Sequence, residues 1–183
     1  MAPGHKLIKI PSIIYVIINI FRGLIGIILL FSTFAFNDIR SNLTQDQNFD
    51  MLLEMFNSEA FRNSSEVIAV LAAMDVDYNL LSDEEFLFSL VEFMAAQIRI
   101  FGIGFTAMAF IGLIVGISGI KNCGDIDKSG RLIGLALIGI FAEAAAIIFV
   151  MSSAIGALGI FSVVPSALLI LYFVGALKNK AQA

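Results

Sequence analysis

The chain has 183 residues, room for one domain of ordinary size. It is 59% hydrophobic and 14% charged, against roughly 45–50% and about 25% in a soluble domain, and the excess lies in long runs, which excludes an ordinary soluble globule. The net charge of −4 hides an asymmetry: residues 37–93 hold twelve of the fifteen acids and two of the eleven bases, so that segment repels nucleic acid.

A membrane-spanning helix needs about 20 predominantly apolar residues. The first stretch that qualifies is Ile10–Phe36, interrupted by Asn19 and Arg22. Lys6 and Lys9 precede it, as in a secretory signal. The run is about twice the length of a signal's apolar region and no small-x-small site follows, so it predicts a retained anchor. Pro11 is expected at the start of this helix, where a missing N–H costs little.

Residues 37–92 come next. Phe49, Leu52, Leu53 and Phe56 recur at helical spacing and predict an amphipathic helix, with Asn42 or Thr44 as its cap. A second helix fits Ser64–Met74, with Ile68 and Leu71 on one side. Ser82-Asp83-Glu84-Glu85 matches a capping box, and helical pattern runs from Phe86 and Leu90 into the next apolar stretch. The second span, about Phe93–Ile120 with Arg99 near its outer end, should therefore be one long helix projecting from the membrane. The short connection 121–131 contains the turn residues Asn122, Gly124 and Gly130.

The run Leu132–Leu177 is too long for one crossing and its only charge is Glu143. Ser152, Ser153, Gly156 and Gly159 place a turn at about 153–159. Pro165 then falls in the first turns of the fourth span. These elements predict an all-α integral membrane four-helix bundle, with an extracytoplasmic helical loop domain between spans 1 and 2. The expected segments are 1–36, 37–92 and 93–183, the first and last forming one membrane domain. One side of the membrane would hold Lys6, Lys9, Lys121, Lys128, Arg131, Lys178 and Lys180, the other only Arg40 and Arg62. That bias predicts both ends in the cytoplasm.

Ionisable groups at membrane depth are rare and normally face the interior of a bundle. Arg22 lies about 18 Å of helix rise beyond Ile10, and Glu143 about 17 Å beyond Leu132, both counted from the cytoplasmic side. Their matched depths predict a pair. Tyr15, Asn19, Arg22, Gly26 and Thr33 share one stripe of the first helix, and Gly139, Ala142, Glu143 and Ala146 form a small-residue face on the third. Two readings stand side by side: a structural ion pair that fixes helix order, and a proton or ion relay. Arg99 is expected to snorkel to the interface or pair with Glu92; the alternative is contact with an anionic lipid or a partner's acid. Gly112-x-x-x-Gly116 and Gly130-x-x-x-Gly134 fit the close-packing motif. They are expected to serve packing within the bundle, with a homo-oligomer seam as the alternative.

Other chemistry is thin. Asp75, Asp77, Asn79 and Asp83 have calcium-loop spacing, but Leu80 stands where glycine is needed and Phe86 where the bidentate glutamate should be. No metal or cofactor is expected. Asn42-Leu43-Thr44 and Asn63-Ser64-Ser65 are glycosylation sequons. His5 is the only histidine and is expected in a flexible terminus. Cys123 is the only cysteine, which excludes an intrachain disulfide; it reads as a plain thiol.

The layout resembles a group of small bacterial membrane proteins, mostly of Gram-positive type, that carry a domain of unknown function. The resemblance rests on the acidic helical segment after the first span and on Asp83-Glu84-Glu85-Phe86 leading into the second. It rests also on the exit Gly116–Asn122 and the ending Leu171–Lys178. It implies a bacterial plasma membrane and supplies no activity, so no functional residue is carried over. Claudins share the long first external loop, but their tryptophan and external cysteine pair are missing here. Tetraspanins place their large loop between the last two spans. The expected function is non-enzymatic: a binding or accessory protein that presents the acidic segment to a partner, with Phe49, Leu52, Phe56, Leu71 and Phe86 as the contact positions. The alternative is a small ion channel or carrier using Arg22 and Glu143.

Overall fold

The computed structural model describes residues 2–43, 54, 58, 59, 63, 84–151 and 163–182. Four long helices occupy these residues, with no strand among them: α1 (His5–Leu43), α2 (Glu84–Asn122), α3 (Ser129–Met151) and α4 (Val163–Lys180). Each contains a segment long and apolar enough to cross a membrane: His5–Ala35, Glu92–Asn122, Ser129–Ile148 and Val163–Lys180. The fold is that of a helical multi-pass membrane protein. The chain divides into two compact units, residues 1–27 with 103–183, and residues 28–102.

The first unit is built inside out relative to a soluble bundle. On α1, Ile8, Pro11, Ser12, Tyr15, Asn19, Arg22 and Gly26 are buried, while Ile10, Ile13, Ile14, Ile17, Phe21, Leu24 and Ile25 are exposed. Both sets recur at the helical period. The buried stripe is the more polar one, as expected where the outer solvent is hydrocarbon and polar groups must find partners inside. The apolar part of the core joins Ile8 and Tyr15 to Val115, Cys123, Leu132, Ala136, Leu169, Tyr172 and Ala176.

Glycines set the approach of α1 to α2. A Cβ at Gly112 would overlap the side chain of Asn19, one at Gly116 would overlap Val16, and one at Gly119 would overlap Ser12 and the Tyr172 ring. Gly23 meets Ala109 less tightly, its Cβ falling 3.2 Å from the alanine methyl. Position numbers on α1 rise as those on α2 fall, which is the register of an antiparallel pair. The glycines at 112, 116 and 119 stand at i, i+4 and i+7, one face of a helix, and they leave room for side chains of α1 one turn apart.

The ends of α1, α2 and α4 are tied together by Asn179, which is fully buried. Its Oδ1 accepts the Gly4 N–H at 2.7 Å and its Nδ2 donates to the Cys123 carbonyl at 3.1 Å. Gly175 and Gly4 allow this contact, since a side chain on either would strike the other's backbone. The connection between α2 and α3 is locally stitched. Asp127 N–H donates to Asp125 Oδ1 at 3.1 Å, and Lys128 pairs with the same carboxylate at 2.9 Å. The Lys128 hydrogen bond holds the Asp125 carboxyl below the ordinary carboxylate range.

In the second unit, residues 28–43 of α1 and 84–102 of α2 are described. Hydroxyls there return to their own helix: Ser32 to Ile28, Thr33 to Leu30 and Ser89 to Phe86, as is common for Ser and Thr in apolar helices. Phe31 and Phe34 stack with centroids 6.3 Å apart and planes tilted by 44°.

Two local expectations change. α1 begins at His5, so Pro11 lies inside it and is buried. The first turn starts on backbone bonds from His5 to Ala2 and from Ile8 to Gly4, ahead of the point where hydropathy rises. His5 accordingly opens a helix instead of lying in a loose terminus. The capping residue Ser82 and the turn at 153–159 fall outside the described residues, as do both sequons' flanking Thr44 and Ser64–Ser65, and the calcium-like segment at 75–83.

Candidate functional site

Four residues expected in the bundle interior meet in one hydrogen-bonded cluster. The guanidinium of Arg22 on α1 grips the carboxylate of Glu143 on α3 with both arms, NH1 to Oε1 at 2.7 Å and NH2 to Oε2 at 3.1 Å. Tyr15, two turns before Arg22, donates its hydroxyl to Glu143 Oε1 at 3.0 Å. Asn19 lies between them: its Nδ2 donates to the Tyr15 carbonyl at 2.8 Å and its Oδ1 accepts from Arg22 NH1 at 3.4 Å. Glu143 and Asn19 are fully buried, and Arg22 is 8% exposed.

The elements that hold this cluster follow from sequence spacing. Tyr15, Asn19 and Arg22 stand at i, i+4 and i+7 of α1, so they line one face. Glu143 closes the inward face of α3 formed by Leu132, Ala136 and Gly139. Gly112 of α2 seats the Asn19 amide. Gly139 lets Leu169 of α4 approach, its Cβ falling 3.0 Å from a Leu169 methyl.

Electrostatically the cluster is closed. A charge at the centre of a bilayer costs about 2.5–3.5 kcal/mol by insertion scales, and a bidentate arginine–carboxylate contact is the geometry that best offsets it. Both carboxylate oxygens are occupied and the pair is formally neutral. Among the described residues no group of three or more His, Cys, Asp or Glu side chains could hold a metal ion.

The remaining expected positions fall differently. Gly112, Gly116 and Gly139 lie in close contacts. Gly130 and Gly134 are exposed and a Cβ at either meets open space. Their expected role in packing the bundle fails for a geometric reason. Leu132 and Ala136 face inward, and a residue two positions along a helix points about 200° away. Arg99 is exposed on α2. Phe86 is half-buried on α2, while Phe49, Leu52, Phe56 and Leu71 lie outside the described residues.

Among the buried polar residues that escaped the sequence reading are Asn179, Ser12 and Tyr172. Asn179 stands between two lysines, where no local pattern marks it as buried, although Tyr172, Gly175 and Asn179 share one face of α4. Replacing Asn179 with alanine strands the Gly4 N–H and the Cys123 carbonyl. The expected result is a loss of about 1–3 kcal/mol, read from unfolding in detergent, and a neutral substitution would show the clamp to be idle. Ser12 Oγ and the Tyr172 hydroxyl are buried without a hydrogen-bond partner among the described residues, and Ser12 Oγ and the Tyr172 ring lie beside Gly119. Removing such atoms relieves desolvation. Ser12→Ala and Tyr172→Phe are thus expected to leave stability unchanged or raise it. A loss above about 1 kcal/mol in either would reveal a partner.

No known family model, curated protein or solved structure matches the chain.

Proposed function

We propose that this is a non-enzymatic membrane accessory protein, whose bundle anchors the acidic segment 37–92 outside the cytoplasm for docking to a partner protein. One observation carries the reading: the only buried charges described at membrane depth, Arg22 and Glu143, are spent on each other. A carboxylate with both oxygens occupied is suited to fixing helix order and poorly suited to binding a passing ion. The other concentration of charge in the chain lies in residues 37–92, with their surplus of acids and their apolar positions Phe49, Leu52, Phe56, Leu71 and Phe86. Charge would steer a basic partner and the apolar side chains would supply most of the affinity.

In this reading the ends and the connection 121–131 lie in the cytoplasm of a bacterial cell. Cys123 itself is a poor reporter of that side, since it is 5% exposed and its thiol donates to the Ile120 carbonyl. Asp127 is exposed. Asp127→Cys in a Cys123→Ser background should stay unlabelled by an impermeant maleimide in intact cells and react after lysis. Labelling in intact cells would reverse the orientation.

A small channel or carrier is the second reading. It is favoured by the polar face of α1, which continues from Asn19 and Tyr15 to the unpartnered Ser12. Two measurements separate the readings. Phe49→Ser with Phe56→Ser should abolish co-purification of a specific partner from the native membrane while the four spans stay folded. The purified wild-type protein in liposomes should pass ions no faster than empty vesicles. Ion flux that disappears in Glu143→Gln, with no partner recovered, would replace the accessory reading with the carrier.

A further inference from the structure

The corner where α1 begins and α4 ends concentrates positive charge, and among the described residues neither helix end carries an acidic side chain to neutralise it. Lys6 and Lys9 lie on the first turns of α1, and Lys178 and Lys180 on the last turn of α4, all four exposed. The two helix ends are held side by side by the Gly4 to Asn179 hydrogen bond and by Gly175 packed against Leu7 and Ile8. Neither chain segment supplies an acid: there is no Asp or Glu in residues 1–37 or 144–183. The adjoining connection contributes Lys121, Lys128 and Arg131 against Asp125 and Asp127, and Asp125 is already taken by Lys128.

Height selects the partner as much as sign does. The lysines directly border the outward apolar face: Ile10 and Ile13 follow Lys9 on α1, and Val174 and Leu177 precede Lys178 on α4, all exposed. That is the level at which lysine side chains reach the headgroups while their stems lie along hydrocarbon. A soluble polyanion would meet the lysines without using the apolar face beneath them, whereas a phospholipid uses both. We propose that the α1/α4 corner binds the phosphate headgroup of an anionic phospholipid, with the acyl chains lying along the exposed faces of the two helices.

Lys6 and Lys9 are three residues apart and share a side of α1. Lys178 and Lys180 are two apart and flank the buried Asn179, which bonds Gly4 at the start of α1. Lysine ammonium groups bind phosphate as point charges without a fixed fork, which fits selection for headgroup charge over headgroup shape. The proposal is independent of the accessory reading and of which leaflet the corner occupies.

The full-length protein purified in a neutral detergent tests it. Phosphatidylglycerol added to the micelles should raise the unfolding temperature and persist as a bound lipid in native mass spectrometry. Phosphatidylcholine should do neither, and the effect should weaken in high salt. The combined variant Lys6→Gln, Lys9→Gln, Lys178→Gln and Lys180→Gln should need about tenfold or more phosphatidylglycerol for the same response. Lys121→Gln with Lys128→Gln should keep most of it. Should the four-lysine variant fold poorly, a phosphatidylglycerol with a photoreactive headgroup on the wild-type protein decides. Its crosslinks should concentrate in residues 2–10 and 174–182. An equal response to phosphatidylcholine, an equal response of the four-lysine variant, crosslinks spread over all helix ends, or the same stabilisation by inorganic phosphate would each overturn the proposal.

Discussion

Glu143→Gln, with Arg22 left in place, is expected to destabilise the folded protein by about 3–5 kcal/mol, the usual consequence of stranding one member of a buried ion pair. Arg22→Ala should cost a similar amount, since Glu143 would keep only the Tyr15 hydroxyl as a partner. The double variant Arg22→Met with Glu143→Met should recover most of the loss, because no charge remains to be desolvated and the two side chains fill comparable space. The swap Arg22→Glu with Glu143→Arg should recover less, because Asn19 and Tyr15 are placed to serve a guanidinium on α1 and a carboxylate on α3. Equilibrium unfolding in mixed detergent micelles gives all four values. Additive losses in the Met double variant would mean that the two residues are not an energetic unit. The pairing would then be geometric only, and the case for a closed seam would fall with it.

The fold was legible wherever hydropathy and length carried the information. Four spans follow from runs of apolar residues too long for anything else, and Asp83–Phe93 signals continuity of α2 because the helical pattern never breaks. The start of α1 was not legible, because it rests on Gly4 and Asn179, residues 175 positions apart in sequence that no local pattern connects. At the site, helix rise alone places Arg22 and Glu143 at the same depth, and they stand 2.7 Å apart. Asn19 and Tyr15 follow from the stripe they share with Arg22. The glycine motifs were legible only in part. Spacing identifies a pair of glycines on one face, but it does not say whether that face looks inward. Gly112 and Gly116 lie against α1, whereas Gly130 and Gly134 look away from the bundle.

That difference among glycines produces an inversion of sign that is simple to measure. In a helix, Gly→Ala ordinarily stabilises by roughly 0.5–1 kcal/mol, because alanine surrenders less backbone freedom on folding. Gly134 has open space where a Cβ would go, so Gly134→Ala should show that ordinary gain. At Gly119 the added methyl would meet Ser12 and the Tyr172 ring, and both belong to the packed interior. At Gly112 it would meet the Asn19 amide. That amide could move only by giving up the Tyr15 carbonyl and its contact with Arg22. Overpacking of this kind costs about 1–3 kcal/mol even after relaxation. Gly112→Ala and Gly119→Ala should therefore destabilise, and Gly119→Leu should prevent α1 from docking on α2. The Gly112 variant carries a further signature. Because its methyl acts through Asn19, the loss should shrink when combined with Asn19→Ala, which vacates the space. The Gly119 loss should shrink instead with Ser12→Ala, whose missing hydroxyl is the nearest obstacle. If alanine is tolerated at both 112 and 119 as well as at 134, α1 and α2 are not in close contact, and the antiparallel register at 12–119, 16–116, 19–112 and 23–109 is wrong.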